Sequence, residues 1–276
     1  MSSSHNLEEK IAIVTGAGSG IGRAIAIKLA KLKMHIYMLD VSHKRLVLTS
    51  RDIRKLDGKV DYFLCDVTSE EQVADVFNKI RKFGSINIVV NNAGIVPKES
   101  YAMANVPIEL WDNVMDINVK GYFLITKYAE KAFISQAEER EDKKYISGSL
   151  VYICSNAGIF GSKKNIYGIS NAARICIMRQ AALEMGAYGI RSNAIIPGDI
   201  LEGSGIWDNK YLAQRAKAKG ISISETKKYY EERAPLGKKA TVEQVAKIAA
   251  ALVSPIGPFE NTTGQIIRCD GGQIMM

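Results

Sequence analysis

The sequence predicts an α/β fold built on a doubly wound parallel sheet, with helices on both faces and a helical substrate lid. Short runs of apolar, often β-branched residues alternate with helix-length segments along most of the 276 residues, the pattern of a parallel sheet with crossover helices. A glycine-rich loop follows the first run and leads into an apolar-periodic segment, as expected for a strand, a turn and a helix. Because no repeat or linker interrupts the pattern, we expect a single domain over residues 1–276.

Each strand is predicted from a short apolar run and each helix from a longer segment with apolar residues at helical spacing. The predicted strands are Lys10–Thr15, Met34–Leu39, Val60–Cys65, Ile86–Val90, Ser149–Ile153, Ile190–Ile196 and Gln265–Cys269. The predicted helices are Arg23–Lys31, Val41–Leu56, Ser69–Phe83, Trp111–Glu139 as one helix or a pair, Asn171–Met185 and Thr241–Val253. The alternation stops between residues 199 and 236, where two helices near Lys210–Lys219 and Ser224–Arg233 are expected to form the lid.

The glycine-rich loop favours dinucleotide binding. Glycines let the backbone turn tightly and approach a pyrophosphate, whose negative charge is favoured at the N-terminus of the following helix. Asp40 lies at the end of the second strand, where a carboxylate can accept both hydroxyls of an adenosine ribose. An acid at this position favours NAD over NADP, although Lys44 and Arg45 leave NADP open. The candidate contacts in the loop are Gly16, Ser19, Gly20, Ile21 and Gly22.

Composition narrows the remaining classes of function. The formal net charge is +8, but the basic residues are spread among acids and form no cluster with aromatics, so a nucleic-acid partner is not predicted. The N-terminus is polar and no segment is long enough to span a bilayer, so we expect a cytoplasmic protein with no membrane partner.

The four cysteines are scattered and no histidine cluster accompanies them. We therefore expect reduced core cysteines, with no disulfide framework and no metal site.

Several motifs occur in a fixed order along the chain. They are Thr15-Gly-x-x-x-Gly-x-Gly22, Asp66-Val67, Asn91-Asn92-Ala93-Gly94, Asn118, Ser155, Tyr167, Pro197-Gly198 and Thr263-Gly264. In this order they resemble the short-chain dehydrogenase/reductase family from Lys10 to the C-terminus. The resemblance implies a Rossmann-like domain that binds a nicotinamide cofactor and moves hydride between it and an alcohol or ketone. It adds Asp66, Val67, Asn92, Ala93, Gly94, Tyr167, Asn171, Pro197 and Gly198 to the expected cofactor contacts.

The resemblance also assigns roles in catalysis. Tyr167 is expected to take the alcohol proton or return it, Ser155 to hold the substrate oxygen, and Asn118 to hold a water in the proton relay. The family pattern is Tyr-x-x-x-Lys, whereas Asn171 is the fourth residue after Tyr167. A lysine there would lie beside the tyrosine on one helix face, and its charge would favour the phenolate. Asn171 is expected to keep only the ribose contact.

Two hypotheses follow from the missing lysine. In the first, the protein is an active NAD-dependent dehydrogenase with slow turnover at neutral pH and faster alcohol oxidation at alkaline pH. In the second, it is a catalytically impaired nucleotide-binding protein that acts as a sensor or as a partner in an oligomer. The cations that would compensate for the lysine are Lys163, Lys164 and Arg174.

The substrate is suggested by the lid and the C-terminus. Both resemble the polyol dehydrogenases of the family, including those that act on sorbitol 6-phosphate, so the expected substrate is a sugar alcohol or its phosphate. Lys163, Lys164 or Lys98 could pair with a phosphate. The apolar helices predicted at Trp111–Glu139 and Asn171–Met185 resemble family subunit contacts, which leaves a homodimer or a homotetramer open.

Overall fold

A computed structural model describes residues 7–139, 148–161, 165–200, 203 and 209–275. Its centre is a sheet of seven parallel strands in the order β3-β2-β1-β4-β5-β6-β7. The predicted doubly wound sheet is therefore confirmed. The strands are β1 Ile11–Thr15, β2 His35–Asp40, β3 Val60–Leu64, β4 Ile86–Asn91, β5 Gly148–Ile153, β6 Ile190–Pro197 and β7 Ile266–Cys269.

Nine α-helices surround the sheet in the described part of the chain. They are α1 Gly20–Ala30, α2 His43–Arg54, α3 Glu70–Arg81, α4 Ile108–Met115, α5 Gly121–Glu138, α6 Asn165–Met185, α7 Asn209–Lys219, α8 Ile223–Glu232 and α9 Val242–Val253. Each predicted helix is present. The predicted boundaries of α9 are explained by its cap, since Thr241 and Gln244 satisfy each other's backbone N–H groups in a capping box.

Apolar residues bury both faces of the sheet. On one face, alternate residues of β1, β4 and β5 pack against α3, α5 and α6, with Tyr122, Phe133 and Met178 fully buried. On the other face, the intervening residues of the same strands pack against α1, α2 and α9, around Leu29, Leu46 and Val245. Successive strand residues point to opposite faces, so runs that are apolar at every position suit strands covered on both sides.

The pair of helices allowed for Trp111–Glu139 is confirmed, since α4 and α5 are separate helices joined by a turn of π-helix at Asp116–Lys120. Helix α6 begins at Asn165, six residues before Asn171, and includes Tyr167 in its first turn. Cys176 is exposed and Cys269 partly exposed, so the expectation that all four cysteines are core residues is wrong for these two.

Helices α7 and α8 form the expected pair between β6 and α9. Helix α8 begins with a capping box between Ser222 and Glu225, which stabilises its first turn. None of the helices in the described ranges has the length and hydropathy needed to cross a membrane.

Candidate active site

A cleft with a volume of about 820 Å³ lies at the carboxyl ends of the strands. It opens where β1 and β4 are neighbours. The chain after β1 crosses to the face covered by α1, whereas the chain after β4 leads to α5 on the opposite face. Two adjacent strands with divergent connections leave a crevice at the edge of an α/β sheet, where ligands of such folds bind.

The glycine-rich loop forms one wall of the cleft. Gly16 has φ +63, and a Cβ on it would lie 2.8 Å from Nδ2 of Asn92. A Cβ on Gly22 would lie 2.4 Å from the carbonyl oxygen of Gly16, so Gly22 packs beneath the loop and does not line the cleft. Ser19, Gly20 and Ile21 do line it. Ser19 is the N-cap of α1 and makes no side-chain capping bond.

Asp40 lies beside this loop and lines the cleft. Its Oδ2 accepts a hydrogen bond from the backbone N–H of Gly18 at 3.0 Å, and its Oδ1 accepts one from Ser42 at 2.9 Å. These bonds fix the orientation of the carboxylate. Arg45 lines the same part of the cleft, and a Cβ on Gly18 would lie 2.7 Å from its Cβ. A negative and a positive side chain therefore both face this end of the site.

Asp66 and Val67 extend the same wall. Oδ1 of Asp66 accepts hydrogen bonds from the backbone N–H and the hydroxyl of Thr68, at 2.9 and 2.8 Å. The backbone N–H of Asp66 donates to Gln72. The turn after β3 is thus held by its own side chains, which keeps Val67 against the cleft.

The loop after β4 is fixed to the end of β1. The hydroxyl oxygen of Thr15 accepts hydrogen bonds from the backbone N–H groups of Asn92 and Ala93, at 2.9 and 3.0 Å. Nδ2 of Asn92 donates to the carbonyl oxygen of Thr15 at 2.9 Å. Asn92, Ala93 and Gly94 all line the cleft opposite the glycine-rich loop.

Ser155 and Tyr167 line the same cleft. Ser155 follows β5 and begins a short 3₁₀ turn, Asn156–Gly158, where its Oγ accepts a hydrogen bond from the backbone N–H of Ala157 at 3.3 Å. Tyr167 is partly buried in the first turn of α6. The structure thus brings together the hydroxyl and the phenol that the sequence singled out.

Asn118 and Asn171 occupy a different place from the expected one, because neither lines the cleft. Asn118 is fully buried in the π-helical turn. Its Oδ1 accepts from the backbone N–H of Ile95, and its Nδ2 donates to the carbonyl of Ile95 and to Oγ of Ser170. Its side chain therefore holds the loop after β4 against α6, and no side-chain atom of it faces the cleft.

Asn171 is also fully buried. Its Nδ2 donates to the carbonyl oxygen of Tyr167 at 2.8 Å, and its Oδ1 has no hydrogen-bond partner among the described residues. The turn after Ser155 covers it, since a Cβ on Gly158 would lie 2.8 Å from Cβ of Asn171. The expected ribose contact of Asn171 is therefore at odds with the structure.

The other end of the cleft is formed by the chain after β6 and by the lid helices. Pro197 and Gly198 line it, and Gly198 is held by a 2.9 Å hydrogen bond from its backbone N–H to the carbonyl of Cys269. The sequence analysis did not identify Arg215, Tyr230 and Arg233, which also line the cleft. The available signal was the presence of arginines in the segment predicted as a lid. Lys98 does not line the cleft, and Lys163 and Lys164 lie outside the described residues.

The residues present fit a dinucleotide. Cβ atoms at Gly16 and Gly18 would collide with neighbouring atoms, so the loop brings backbone close to the cleft at the N-terminus of α1. The carboxylate of Asp40 can accept ribose hydroxyls at one end, while Ser155 and Tyr167 lie at the other. The fold and the site define the class: a dinucleotide-binding protein with a doubly wound sheet.

Comparison with known proteins agrees with this class. A family model described as enoyl-(acyl carrier protein) reductase matches residues 16–273. A 3-oxoacyl-[acyl-carrier-protein] reductase of Thermotoga maritima, FabG, is 31% identical over 271 residues, covering 98% of this chain and 99% of that protein. The levodione reductase of Leifsonia aquatica is 31% identical over 277 residues, covering 96% and 94%. A structure of NAD+-bound xylitol dehydrogenase superposes with a TM-score of 0.84 at 28% identity, covering 96% of this chain and 99% of that one.

The chain belongs to the short-chain dehydrogenase/reductase family of oxidoreductases. The relatives act on different substrates, since their names include an acyl-carrier-protein ketone, levodione and xylitol. Membership therefore establishes the reaction class of the family and leaves the substrate to be inferred from the cleft of this chain.

Proposed function

We propose that this protein is an NAD-dependent dehydrogenase that converts a secondary alcohol to a ketone and back, with a sugar alcohol or its phosphate as the substrate. The observation that carries the proposal is that Ser155 and Tyr167 line one cleft together with the glycine-rich loop and Asp40. A group able to bind the substrate oxygen and a group able to hold its proton therefore face the same space as the dinucleotide-binding residues.

The residues that line the cleft have separate roles in this reaction. Oγ of Ser155 already accepts a hydrogen bond from Ala157, so its hydrogen is available for the substrate oxygen. Tyr167 takes the proton of the alcohol during oxidation and returns it during reduction. When bound, the nicotinamide ring accepts or donates the hydride. The lid helices cover the substrate end and limit access of water.

Asp40 supports NAD as the cofactor. Its carboxylate is held by Gly18 and Ser42 and would repel a phosphate on the adenosine ribose. Arg45 lines the same end and is the observation that favours NADP as the second candidate. The ratio of kcat/KM with NAD to that with NADP tests the assignment. We expect about tenfold or more in favour of NAD, and a preference for NADP would overturn it.

The lid supports a phosphorylated substrate. Arg215 and Arg233 both line the cleft, and the guanidinium group is suited to bidentate binding of phosphate. Arg233 pairs with Asp199 at 3.4 Å, and Gln273 donates to the same carboxylate at 2.8 Å. An incoming phosphate could replace Asp199 as the partner of Arg233, because a phosphate dianion carries two negative charges and the Asp199 carboxylate carries one.

The test is a screen of sugar alcohols and their phosphates, with formation of the reduced cofactor as the readout. We expect turnover of at least one polyol, and Tyr167→Phe should lower kcat by about 10²- to 10⁴-fold while still binding NAD in calorimetry. Xylitol, sorbitol, sorbitol 6-phosphate and levodione make a suitable panel.

The alternative is a nucleotide-binding protein with impaired chemistry, acting as a sensor or an oligomer partner. It is favoured by Asn171, which is neutral, fully buried and directed at its own helix. Binding of NAD with rates indistinguishable between the natural chain and Tyr167→Phe on every substrate would support this alternative and overturn the first.

A further inference from the structure

Helix α6 carries a buried cation that lines the same cleft as Tyr167. Arg174 is 4% exposed and lines the cleft. Its Nε donates to the carbonyl oxygen of Asn118 at 2.9 Å, and its guanidinium lies 4.0 Å from the ring centroid of Tyr122. Its Nη2 is buried and has no hydrogen-bond partner among the described residues.

The unpartnered nitrogen lies against the loop after β4. A Cβ on Gly94 would be 2.2 Å from Nη2 of Arg174, so the guanidinium occupies the space that a larger residue at position 94 would fill. Gly94 itself lines the cleft beside Asn92 and Ala93. The free N–H groups of Arg174 are therefore next to the wall that faces the glycine-rich loop.

A buried guanidinium in this state is costly unless something else pairs with it. Among the described residues Arg174 forms no ion pair, and stacking on Tyr122 offsets only part of the loss of hydration. Buried donors that lack a partner are rare in folded proteins. A buried donor without a partner, in a residue that lines a ligand cleft, indicates that its acceptor is an atom of the ligand.

The position of Arg174 on its helix explains how it can act near Tyr167. Residues 167, 171 and 174 are spaced i, i+4 and i+7 and share one face of α6. Long helical side chains point toward the N-terminus and cover the preceding turn, which here is the turn of Asn171. Because Asn171 is short and its amide folds back onto the carbonyl of Tyr167, this space is open to the arginine.

We propose that Arg174 supplies the positive charge of this active site: its guanidinium, at the wall of the cleft, donates a hydrogen bond to the nicotinamide half of the bound dinucleotide, and its charge stabilises the phenolate of Tyr167. The inference rests on the proposed dehydrogenase function. It makes Asn171 and Arg174 a coupled pair, in which the short side chain at one position leaves room for the long cation at the other.

Two titratable groups that interact with Arg174, Cys154 and Tyr122, are neutral at physiological pH. Burial raises the pKa of the Cys154 thiol at the end of β5 to about 12, and it raises the pKa of Tyr122 on α5 further above its ordinary value. In both cases the charge of Arg174 acts in the opposite direction. The guanidinium is therefore a source of positive potential for the Tyr122 phenol and the Cys154 thiol.

Binding of truncated nucleotides tests the contact without any measurement of turnover. Calorimetry is done with NAD, with ADP-ribose and with ADP, which lacks the second ribose. We expect Arg174→Met to weaken NAD and ADP-ribose by about tenfold and ADP by less than about twofold, since only the first two reach the arginine. Arg179→Met, at an exposed position of the same helix, is the matched control and should change none of them.

Two further variants separate this contact from a structural role. Arg174→Lys, which keeps the charge, should retain most of the NAD affinity. Arg174→Gln, which keeps a donor for the carbonyl of Asn118 but no charge, should behave like Arg174→Met and covers the case in which the methionine variant does not fold. Equal loss for all three ligands, or no loss for any, would overturn the proposal.

Variants that remove the positive charge at position 174 and place one at position 171 test the role of that charge in catalysis. We expect Arg174→Met to lower kcat by about 10²-fold and to shift the rate profile toward alkaline pH, as loss of a cation beside a phenolate would. Asn171→Lys alone should give no gain, because it adds a second buried cation beside the first. The double variant Asn171→Lys/Arg174→Met should recover about tenfold or more of the loss. A large gain from Asn171→Lys alone would show that the natural site lacks a cation and would overturn the proposal.

Failure of this inference is distinguishable from failure of the proposed function. A natural chain that binds NAD and oxidises a polyol, with Arg174→Met unchanged in both, would leave the dehydrogenase assignment in place and remove Arg174 from it. A natural chain that turns over no substrate removes the dehydrogenase assignment, while the affinities for NAD, ADP-ribose and ADP still decide the contact.

Discussion

Asn92 donates a hydrogen bond from its side chain to the backbone carbonyl of Thr15 at 2.9 Å, across a sequence separation of 77 residues. Thr15 returns the contact, because its hydroxyl oxygen accepts from the backbone N–H groups of Asn92 and Ala93. The end of β1 and the end of β4 are thereby joined where their connections diverge. The width of the dinucleotide end of the cleft depends on this pair.

We therefore expect Thr15→Val to damage both stability and cofactor binding. Valine has the same shape but leaves two N–H groups without an acceptor, so the free energy of unfolding should fall by about 1–3 kcal/mol. NAD affinity should fall by about tenfold because the loop after β4 is no longer fixed. Chemical denaturation and calorimetry give the two quantities.

Thr126→Val is the matched control for this change. The Thr126 hydroxyl is also buried and bonds to Tyr122 and Tyr152, but it does not line the cleft. It should lower stability by a similar amount without changing NAD affinity. Equal effects of both variants on affinity would show that binding responds to stability in general.

The turn after Ser155 provides a second prediction. A Cβ on Gly158 would lie 2.6 Å from the carbonyl carbon of Asn171 and 2.7 Å from the backbone nitrogen of Ala172. These opposing atoms are backbone of α6 and cannot rotate away, so Gly158→Ala must displace the turn. Because Ser155 begins that turn, we expect kcat to fall by about tenfold, together with about 1–3 kcal/mol of stability.

Gly161→Ala is the control for Gly158→Ala, since nothing lies within 4 Å of a Cβ there. It should leave both kcat and stability unchanged. Full activity of Gly158→Ala would show that the turn can move without displacing the Ser155 hydroxyl.

Local sequence patterns were enough to predict the fold. Each strand and helix follows from periodicity and capping residues that act over a few positions, such as Thr241 and Gln244 at the start of α9. The glycine-rich loop, Ser155 and Tyr167 were found because each belongs to a motif next to a strand or helix end. Elements of this kind need little information from distant parts of the chain.

The remaining parts of the site depend on long-range packing. The burial of Asn171 follows from the close approach of Gly158, and the bond from Arg174 to Asn118 joins residues 56 positions apart. Sequence spacing placed Arg174 on the face of Tyr167 but could not show that its Nη2 lacks a partner. Arg215 and Arg233 line the cleft, and their positions depend on how α7 and the end of α8 pack against distant parts of the chain.

The lid supplies a third prediction. Arg233 lines the cleft and pairs with Asp199. If the substrate carries a phosphate, Arg233→Met should raise KM for the phosphorylated polyol by about tenfold and leave KM for the free polyol within about twofold. Stability should change by less than about 1 kcal/mol, because the ion pair is half-exposed.

Lys228→Met is the control for Arg233→Met. Lys228 lies in α8, the helix that ends just before Arg233. It forms an exposed pair with Glu232 at 3.7 Å and does not line the cleft. It should change neither KM. An equal rise of KM for both polyols in Arg233→Met would contradict a phosphate site and indicate a contact with the sugar itself.

A fourth prediction concerns pH and lies away from the cleft. Burial raises the pKa of Glu130 on α5 from about 4.5 to about 7, and the charge of Glu184 adds to the shift. The folded state therefore binds this proton more tightly than the unfolded chain does. The stability that this gives is fully present below about pH 4.5 and is lost as pH rises through about 7.

Glu130→Gln should remove this dependence. We expect the free energy of unfolding of the natural chain to lose about 1–2 kcal/mol from this group between pH 5 and pH 8, less than full burial would give because the side chain is partly exposed to solvent. Urea denaturation at both pH values and at one protein concentration measures it. Glu138→Gln, at an exposed position of the same helix, should keep the pH dependence of the natural chain. A Glu130→Gln variant with an unchanged slope would mean that Glu130 ionises as freely in the folded state as in the unfolded chain.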